Sequence, residues 1–145
     1  MAGAHTLDAL PHWDDGTVAI LSTGGGSPHA IPVSTGVRAG DRRILLALAR
    51  RRESLARLRT DPRCALTLMA AGVACTAQGR ATVVQEPMAA SDRVAAVALE
   101  VDVVQDHLQA RFALEGGVPW RWTDDEARAR DDVIRTALRE LARDA

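Results

Sequence analysis

The sequence predicts an α+β protein: a small antiparallel β-barrel of six strands, with a short helix in the middle and an amphipathic helix at the C-terminus. Apolar runs alternate with glycine-containing turns, and most links between these runs are too short for a parallel crossover. Strands joined by short links pair antiparallel. A strand-rich chain of this length, with helices at the ends of its sheet, is typical of one small domain, here residues 1–145.

Six strands are predicted from apolar runs bounded by turn residues. The first two, residues 17–22 and 29–35, flank a TGGGSP turn, whose glycines supply the positive φ angles that other residues resist. Residues 44–49 (ILLALA) form a near-continuous apolar run, typical of a strand buried on both faces, although periodicity alone leaves a helix open. The other three strands are predicted over residues 64–69, 73–84 and 94–104.

Two helices are predicted. The first covers residues 51–60 and ends at Asp61-Pro62, because the residue before a proline disfavours the α conformation. The second covers about residues 124–143, with Thr123 as N-cap and Glu126 completing a capping box. Its apolar stripe is predicted to consist of Val133, Ile134, Ala137, Leu138 and Leu141.

Two further segments carry weaker patterns. Residues 5–10 are interpreted as a helical turn. Residues 111–114 and 118–122 are predicted to form a hairpin closed by Glu115-Gly116-Gly117. In that hairpin Trp120 and Trp122 would share one face, where packing in the core or in a dimer interface is favoured over stacking on a ligand.

Charge is concentrated in one segment. All 18 basic residues are arginines, and nine of them lie between Arg38 and Arg63 against three acidic residues, a local balance of +6 in a chain of net charge −1. A nearly neutral protein with one basic segment favours a local anionic ligand over nucleic acid, which a basic domain would suit better. For any single arginine, a solvated helix face is the alternative interpretation.

Several kinds of site are not supported. Cys64 and Cys75 have no CxxC spacing, and a hairpin between them would set them opposite Gly79 and Leu68, too far apart for a disulfide. They are expected to be buried thiols in a reducing compartment. The four histidines lack metal-ligand spacing, and no GxSxG motif indicates hydrolase chemistry, so no metal is expected and no catalytic residue is named.

A cytoplasmic location is expected. No apolar run reaches the roughly 18–20 residues that a membrane helix needs. The N-terminus also lacks a basic region followed by an apolar segment, as an export signal would have.

The order of GGGSPHAIPV, ILLALARRR, LARLRTDPRCALTL and TAQGRATVV resembles the flavin-binding split-barrel family, the superfamily of pyridoxamine 5′-phosphate oxidase and its deazaflavin-dependent relatives. The resemblance covers about residues 14–104, and the part from Gln105 onward is not matched. It implies a split barrel, and a homodimer with one flavin per subunit in a groove between the subunits. The flavin would be FMN or, alternatively, the deazaflavin coenzyme F-420, acting in hydride transfer with a small unknown substrate.

The same resemblance implies which positions contact the flavin. The strand PHAIPVS would meet the edge of the isoalloxazine ring, and the end of ILLALA would lead to the phosphate. The arginines at the helix start, together with Ser54, would bind the phosphate. An arginine cluster at a helix start can bind a phosphomonoester through charge-assisted, bidentate hydrogen bonds. The implied cofactor-binding residues are Ile31, Pro32, Val33, Ser34, Ala47, Leu48, Ala49, Arg50, Arg51, Arg52, Ser54 and Gln78.

The chain departs from the family pattern at two positions. Relatives often have a lysine-type residue near position 54 and an asparagine near position 57, where this chain has Ser54 and Arg57. A non-catalytic protein that binds a flavin or another phosphorylated ligand is therefore the alternative function. The family's cofactor supplies the redox chemistry itself, so the lack of an obvious catalytic dyad fits either function.

Overall fold

The computed structural model describes residues 5–144 and has an α+β architecture, a curled antiparallel sheet of eight strands with two helices. The elements in chain order are β1 (His5–Leu7), β2 (Ala19–Thr23), β3 (His29–Val33), β4 (Val37–Arg38), β5 (Arg43–Ala49), α1 (Glu53–Thr60), β6 (Arg63–Ala70), β7 (Val73–Gln85), β8 (Val94–Asp106) and α2 (Asp125–Arg143). The six predicted strands correspond to β2, β3 and β5 to β8, so the antiparallel α+β prediction is confirmed, whereas the strand count is too low.

The sheet has the order β3-β2-β6-β7-β8-β5-β4, and β1 pairs with β8. β3 and β4 follow one another in the chain yet lie at opposite ends of this order, because the sheet curls. The curl brings Thr35, just after β3, against β5: the Ala47 N–H donates to Thr35 Oγ1 at 3.0 Å, and that hydroxyl donates to the Ala47 carbonyl at 3.1 Å. We call this contact between Thr35 and Ala47 the seam.

β5 separates two apolar layers, because successive side chains of a strand point to opposite faces. Leu46 packs in the larger, interior cluster together with Leu55 of α1. Leu45 packs in the smaller cluster together with Leu138 of α2. All four leucines are at most 1% exposed, so the predicted burial of this strand on both faces is confirmed.

The N-terminal residues correct one prediction. Residues 5–7 form a strand, not a helical turn. β5 pairs with β8 only as far as Arg43 opposite Glu100, and β1 pairs further along β8, where Leu7 lies opposite Val104. This partner is remote in the sequence, so the local pattern did not reveal it. Residues 1–4, part of the segment used for the export prediction, lie outside the described residues.

The predicted hairpin at residues 111–122 is also wrong, since no strand lies between β8 and α2. The polar groups of this segment bond to other parts of the fold instead. The Leu114 carbonyl accepts from Gly72 N–H at 3.0 Å, and the Trp120 indole N–H donates to the Gly16 carbonyl at 2.7 Å. Pro119 has no N–H to donate to a strand ladder. A Cβ on Gly117 would lie 2.7 Å from the Met69 carbonyl oxygen, which shows that this segment packs closely against the β6–β7 turn.

Both helices lie close to their predicted positions. α1 ends as predicted, with the Asp61 N–H donating to the Arg57 carbonyl at 2.8 Å. The N-cap of α2 is Asp124, not Thr123, because the Asp124 carboxylate accepts from the Glu126 N–H at 3.0 Å. The predicted stripe also differs, since Val133 is 52% exposed whereas Leu138 is fully buried.

The cysteines lie as predicted, with Cys64 opposite Gly79 and Cys75 opposite Leu68. Both thiols are free and buried. Burial raises the pKa of Cys64 to about 12, and burial together with the nearby Asp106 charge raises the pKa of Cys75 to about 11. Neither thiol is therefore a reactive thiolate near neutral pH. Within residues 5–144, no helix combines the length and the hydropathy that a membrane crossing requires.

Candidate functional site

A cleft opens where β5 ends and the chain turns into α1. It has a volume of about 750 Å³, within the range of small-molecule sites. The backbone forms it by joining two loops: the Arg50 N–H donates to the Arg93 carbonyl at 3.0 Å. Its lining residues are Ala49, Arg50, Arg51, Glu86, Asp92 and Arg93. We call it the Arg50 cleft.

Arg50 is held in place by the loop between β7 and β8. Its Nε donates to Glu86 Oε2 at 3.3 Å, and its Nη1 donates to the Asp92 carbonyl at 3.0 Å. Glu86 also pairs with Arg59 of α1. Arg50 therefore places a fixed positive charge in the cleft, but an anion binding to it would compete with the Glu86 carboxylate.

Arg51 and Arg52 are differently placed. Both are exposed, and in the part of the chain that the structure describes neither guanidinium has a hydrogen bond or ion pair. Arg52 is the N-cap of α1 and makes no side-chain capping bond, so first-turn N–H groups are left without a side-chain acceptor. Free guanidinium donors beside an uncapped helix start form an arrangement suited to an anion.

Ser54 does not face this cleft as an available donor. Its hydroxyl is buried, with the residue 1% exposed, and lies 3.1 Å from His29 Nε2. The other ring nitrogen, His29 Nδ1, lies 3.2 Å from Glu53 Oε2. These atoms are paired as in a serine–histidine–carboxylate relay, but the buried hydroxyl leaves no room for a substrate. The network instead ties β3 to the start of α1.

Arg57 completes this network, and sequence reasoning assigned it no such role. Its Nε donates to Glu53 Oε2 at 2.6 Å, its Nη1 to the Ser27 carbonyl at 2.6 Å, and its Nη2 to Ser27 Oγ at 3.2 Å. The Arg57 hydrogen bond and charge lower the pKa of Glu53. Arg57 thus fastens the glycine turn before β3 to α1, through a contact between residues 30 positions apart that no local pattern reveals.

The positions predicted to contact the flavin ring, Ile31 to Ser34, lie next to the seam. Among the strands of residues 5–144, β3 pairs only with β2, so Pro32, which has no N–H, stands in an edge strand. In the predicted set, Pro32 is exposed, Ile31 and Ser34 are half-buried, and Val33 is buried. The seam brings this end of β3 next to Ala47. The structure therefore brings together the segments Ile31 to Ser34 and Ala47 to Arg51.

Gln78 lies elsewhere. It pairs with Val103 on β8, whereas Ala49 pairs with Val94. These two β8 positions are nine residues apart, or about 30 Å along a strand. Within one copy of the chain, Gln78 is therefore not part of the Arg50 cleft, and its predicted contact with a cofactor would have to come from a second copy.

Trp120 and Trp122 do not pack in the core. Each is 40% exposed, and their rings form an edge-to-face pair with centroids 5.4 Å apart. They lie outside the Arg50 cleft. Among residues 5–144, no cluster of three histidine, cysteine or acidic side chains could hold a metal ion.

Comparison with known proteins shows the fold. No family model and no curated protein matches the chain. A candidate pyridoxamine 5′-phosphate oxidase from Listeria innocua matches with a TM-score of 0.53 and 11% identity, over 63% of this chain and 88% of that one. General stress protein 26 from Bacillus anthracis matches with a TM-score of 0.52 and 13% identity, over 65% and 87%.

A heme-binding protein from Mycobacterium smegmatis matches as well, with a TM-score of 0.51 and 19% identity, over 62% of this chain and 48% of that one. The fold of this chain is thus that of pyridoxamine 5′-phosphate oxidase-like proteins, and the resemblance found in the sequence is confirmed at the level of the fold. Proteins with this fold differ in the ligand they bind, so the fold alone does not identify the ligand of this chain, and only its own residues can indicate it.

Proposed function

We propose that this protein binds FMN in a groove completed by a second copy of the chain, and uses it in hydride transfer to or from a small substrate. The observation that carries the proposal is the Arg50 cleft beside the seam, which Arg50 and Arg51 line, with Arg52 following them in the chain as the N-cap of α1. The shared fold supports the proposal but does not identify the ligand.

The residues present fit the phosphate group. Arg51 and Arg52 offer free guanidinium donors, and Arg50 adds a third positive charge on the cleft wall. Glu53, in the first turn of α1, would repel a phosphate, but its carboxylate is bound to Arg57. We therefore assign phosphate binding chiefly to Arg51 and Arg52.

The seam suits a flat ring system. β3 is an edge strand, so the outward backbone groups of the Ile31 to Ser34 segment have no neighbouring strand among the described residues, and Pro32 offers only its C=O there. Such groups can bond to the polar edge of an isoalloxazine ring. When bound, the flavin would supply the hydride chemistry, while these residues hold and orient it.

FMN is favoured over the deazaflavin coenzyme F-420. An acidic oligoglutamate tail would need further free arginines near the cleft, and α1 carries two, Arg57 and Arg59. In the structure Arg57 is engaged with Glu53 and Ser27, and Arg59 pairs with Glu86. F-420 is therefore kept as the alternative cofactor.

A second candidate function is non-catalytic binding of a flavin or another phosphorylated ligand. The engagement of Arg50 with Glu86 and of Ser54 with His29 favours it. Two of the four predicted phosphate-binding side chains are thereby committed to contacts within the chain, and a weakly held cofactor would serve catalysis poorly.

The test begins with an absorption spectrum of the purified protein and fluorescence titrations with FMN, riboflavin and F-420. We expect FMN to bind with a Kd below about 100 μM, and about tenfold more tightly than riboflavin, since charge-assisted hydrogen bonds to the phosphate are lost in riboflavin. Arg51→Gln/Arg52→Gln should abolish that preference, whereas Arg111→Gln/Arg130→Gln, which removes two exposed arginines outside the cleft, should preserve it.

Absence of binding by all three flavins would overturn the proposed FMN function and would leave, of the second candidate, only the binding of another phosphorylated ligand. If a flavin binds, the two candidate functions remain to be distinguished. A steady-state assay with reduced FMN and quinone-type acceptors then separates them. Turnover would dismiss the binding-only function, and tight binding without turnover would support it.

A further inference from the structure

A second cleft lies between residues 120–123 and one face of α2. Its volume is about 700 Å³, and it shares no lining residue with the Arg50 cleft. Trp120, Trp122 and Arg135 are among its lining residues. We call it the Arg135 cleft.

Arg135 is the unusual residue of this cleft. It is a charged side chain only 8% exposed, and its Nε donates to Asp131 Oδ2 at 2.6 Å. Its Nη1 and Nη2 atoms are buried and have no hydrogen-bond partner among residues 5–144. Buried polar atoms in folded proteins nearly always have such a partner, so this edge of the guanidinium holds hydrogen-bond donors that the fold itself does not use.

The geometry of the free edge selects the ligand's polar group. With Nε occupied by Asp131, the remaining donors are those on Nη1 and Nη2. Two parallel N–H groups of a guanidinium match the two oxygens of a carboxylate. Because these atoms are closed off from solvent, a ligand reaches them only when side chains lining the cleft shift.

The charge of the cleft favours a monoanion. Four arginines and four aspartates line it, so its formal balance is zero. Arg128 pairs with Asp125, and Arg139 pairs with Asp15. A doubly charged phosphate would face the repulsion of these aspartates, whereas a carboxylate brings a single charge.

The tryptophans indicate the rest of the ligand. Two of the chain's three tryptophans line this one cleft, each 40% exposed. Trp120 is fixed by its bond to the Gly16 carbonyl, and Trp122 stands edge-to-face against it. Exposed indole faces held in this way offer a flat apolar surface to an aromatic ring.

We propose that the Arg135 cleft binds a small aromatic monocarboxylate, with the carboxylate on Nη1 and Nη2 of Arg135 and the ring against Trp120 and Trp122. The proposal is independent of the proposed flavin function, because the two clefts have no lining residue in common.

Isothermal titration calorimetry with benzoate and with indole-3-carboxylate tests the proposal. At least one should bind with a Kd below about 1 mM. The neutral analogue benzamide and the dianion phenyl phosphate should each bind about tenfold or more weakly than benzoate. Saturating FMN should leave the carboxylate affinity unchanged. Failure of both carboxylates to bind, equal affinity for benzamide, or competition by FMN would each overturn the proposal.

A matched pair of variants locates the site. Asp131→Asn/Arg135→Met removes the buried ion pair and should weaken carboxylate binding about tenfold or more. Glu126→Gln/Arg130→Met removes an exposed pair with the same i,i+4 spacing on the same helix, outside the cleft, and should bind as the wild type does. Wild-type affinity in the first variant would overturn the proposal, and the benzamide comparison decides the matter if that variant does not fold.

Discussion

Arg57 on α1 and Arg135 on α2 make the same contact within their own helix, but they differ in what their Nη atoms contact. Each donates its Nε, at 2.6 Å, to an acidic side chain four residues earlier, Glu53 or Asp131. The Nη atoms of Arg57 bond to the Ser27 carbonyl and hydroxyl, whereas those of Arg135 are buried and have no hydrogen-bond partner in the described part of the chain. One guanidinium is fully used by the fold, and the other keeps a free edge.

This difference in the partners of the Nη atoms distinguishes an arginine that stabilises the fold from one that can bind a ligand. An i,i+4 pair with an acidic residue is common on helices and contributes little by itself. What the two Nη atoms contact decides the role: Arg57 fastens a turn to a helix, whereas Arg135 presents donors inside a cleft. The contrast between the two helices can be tested at three levels, beginning with the side chains that anchor each helix.

The largest effect is expected from truncating the leucine that anchors each helix. Leu55→Ala should lower the free energy of unfolding by about 3–5 kcal/mol, and Leu138→Ala by about 2–3 kcal/mol. Both side chains are fully buried, but Leu55 packs within the large interior cluster and Leu138 within the smaller outer one. Urea denaturation of both variants measures the difference. A larger loss from Leu138→Ala would show that the smaller outer cluster contributes more to stability than the interior cluster.

Removing each arginine with its acidic partner should give a smaller effect. Glu53→Gln/Arg57→Met should lower the free energy of unfolding, because the hydrogen bonds that tie the Ser27 carbonyl and hydroxyl to α1 are lost. Asp131→Asn/Arg135→Met should be neutral within about 1 kcal/mol or stabilising, since replacing a buried ion pair often is. Urea midpoints of the two double variants test this. Equal losses of stability in the two double variants would show that Arg135 stabilises the fold as much as Arg57 does, contrary to the contrast drawn here between them.

The smallest effect is expected from the pair that follows α1, the half-buried Asp61 with the exposed Arg63. Hydrogen bonds from Arg63 lower the pKa of Asp61 from 3.8 to about 2. Because the folded-state pKa is depressed, this contribution to stability is complete above pH 3.8 and is lost as the pH falls to about 2. Urea midpoints measured over this range should decline less steeply in Asp61→Asn than in the wild type, and parallel curves would contradict the assignment.

Much of the sheet could be predicted from the sequence because its signals are local. The ILLALA run predicted β5, and Asp61-Pro62 predicted the end of α1, since apolar periodicity and proline act on neighbouring residues. β1 and the irregular residues 107–124 could not be predicted, because their hydrogen-bond partners lie far along the chain.

The site was predictable in part for the same reason. Arg50 to Arg52 adjoin a predicted strand end and helix start, so their common location followed from the chain order. The pairing of His29 with Ser54, 25 positions apart, did not. The burial of Arg135 could not be predicted either, because a helical pattern assigns an arginine to the polar face. In the structure Arg135 is 6% exposed, whereas the adjacent Ile134 is only half-buried.

The seam has a consequence for how a guest molecule could enter the protein. Thr35 lies two residues before Val37, which pairs with Leu45, so the seam continues the short β4–β5 ladder through one threonine hydroxyl that bonds to both backbone groups of Ala47. A flat molecule sliding between β3 and β5 would therefore displace a single hydroxyl and could take over both of its bonds. Entry at the seam would thus break two hydrogen bonds of one side chain, while the backbone pairing of Val37 with Leu45 could stay in place.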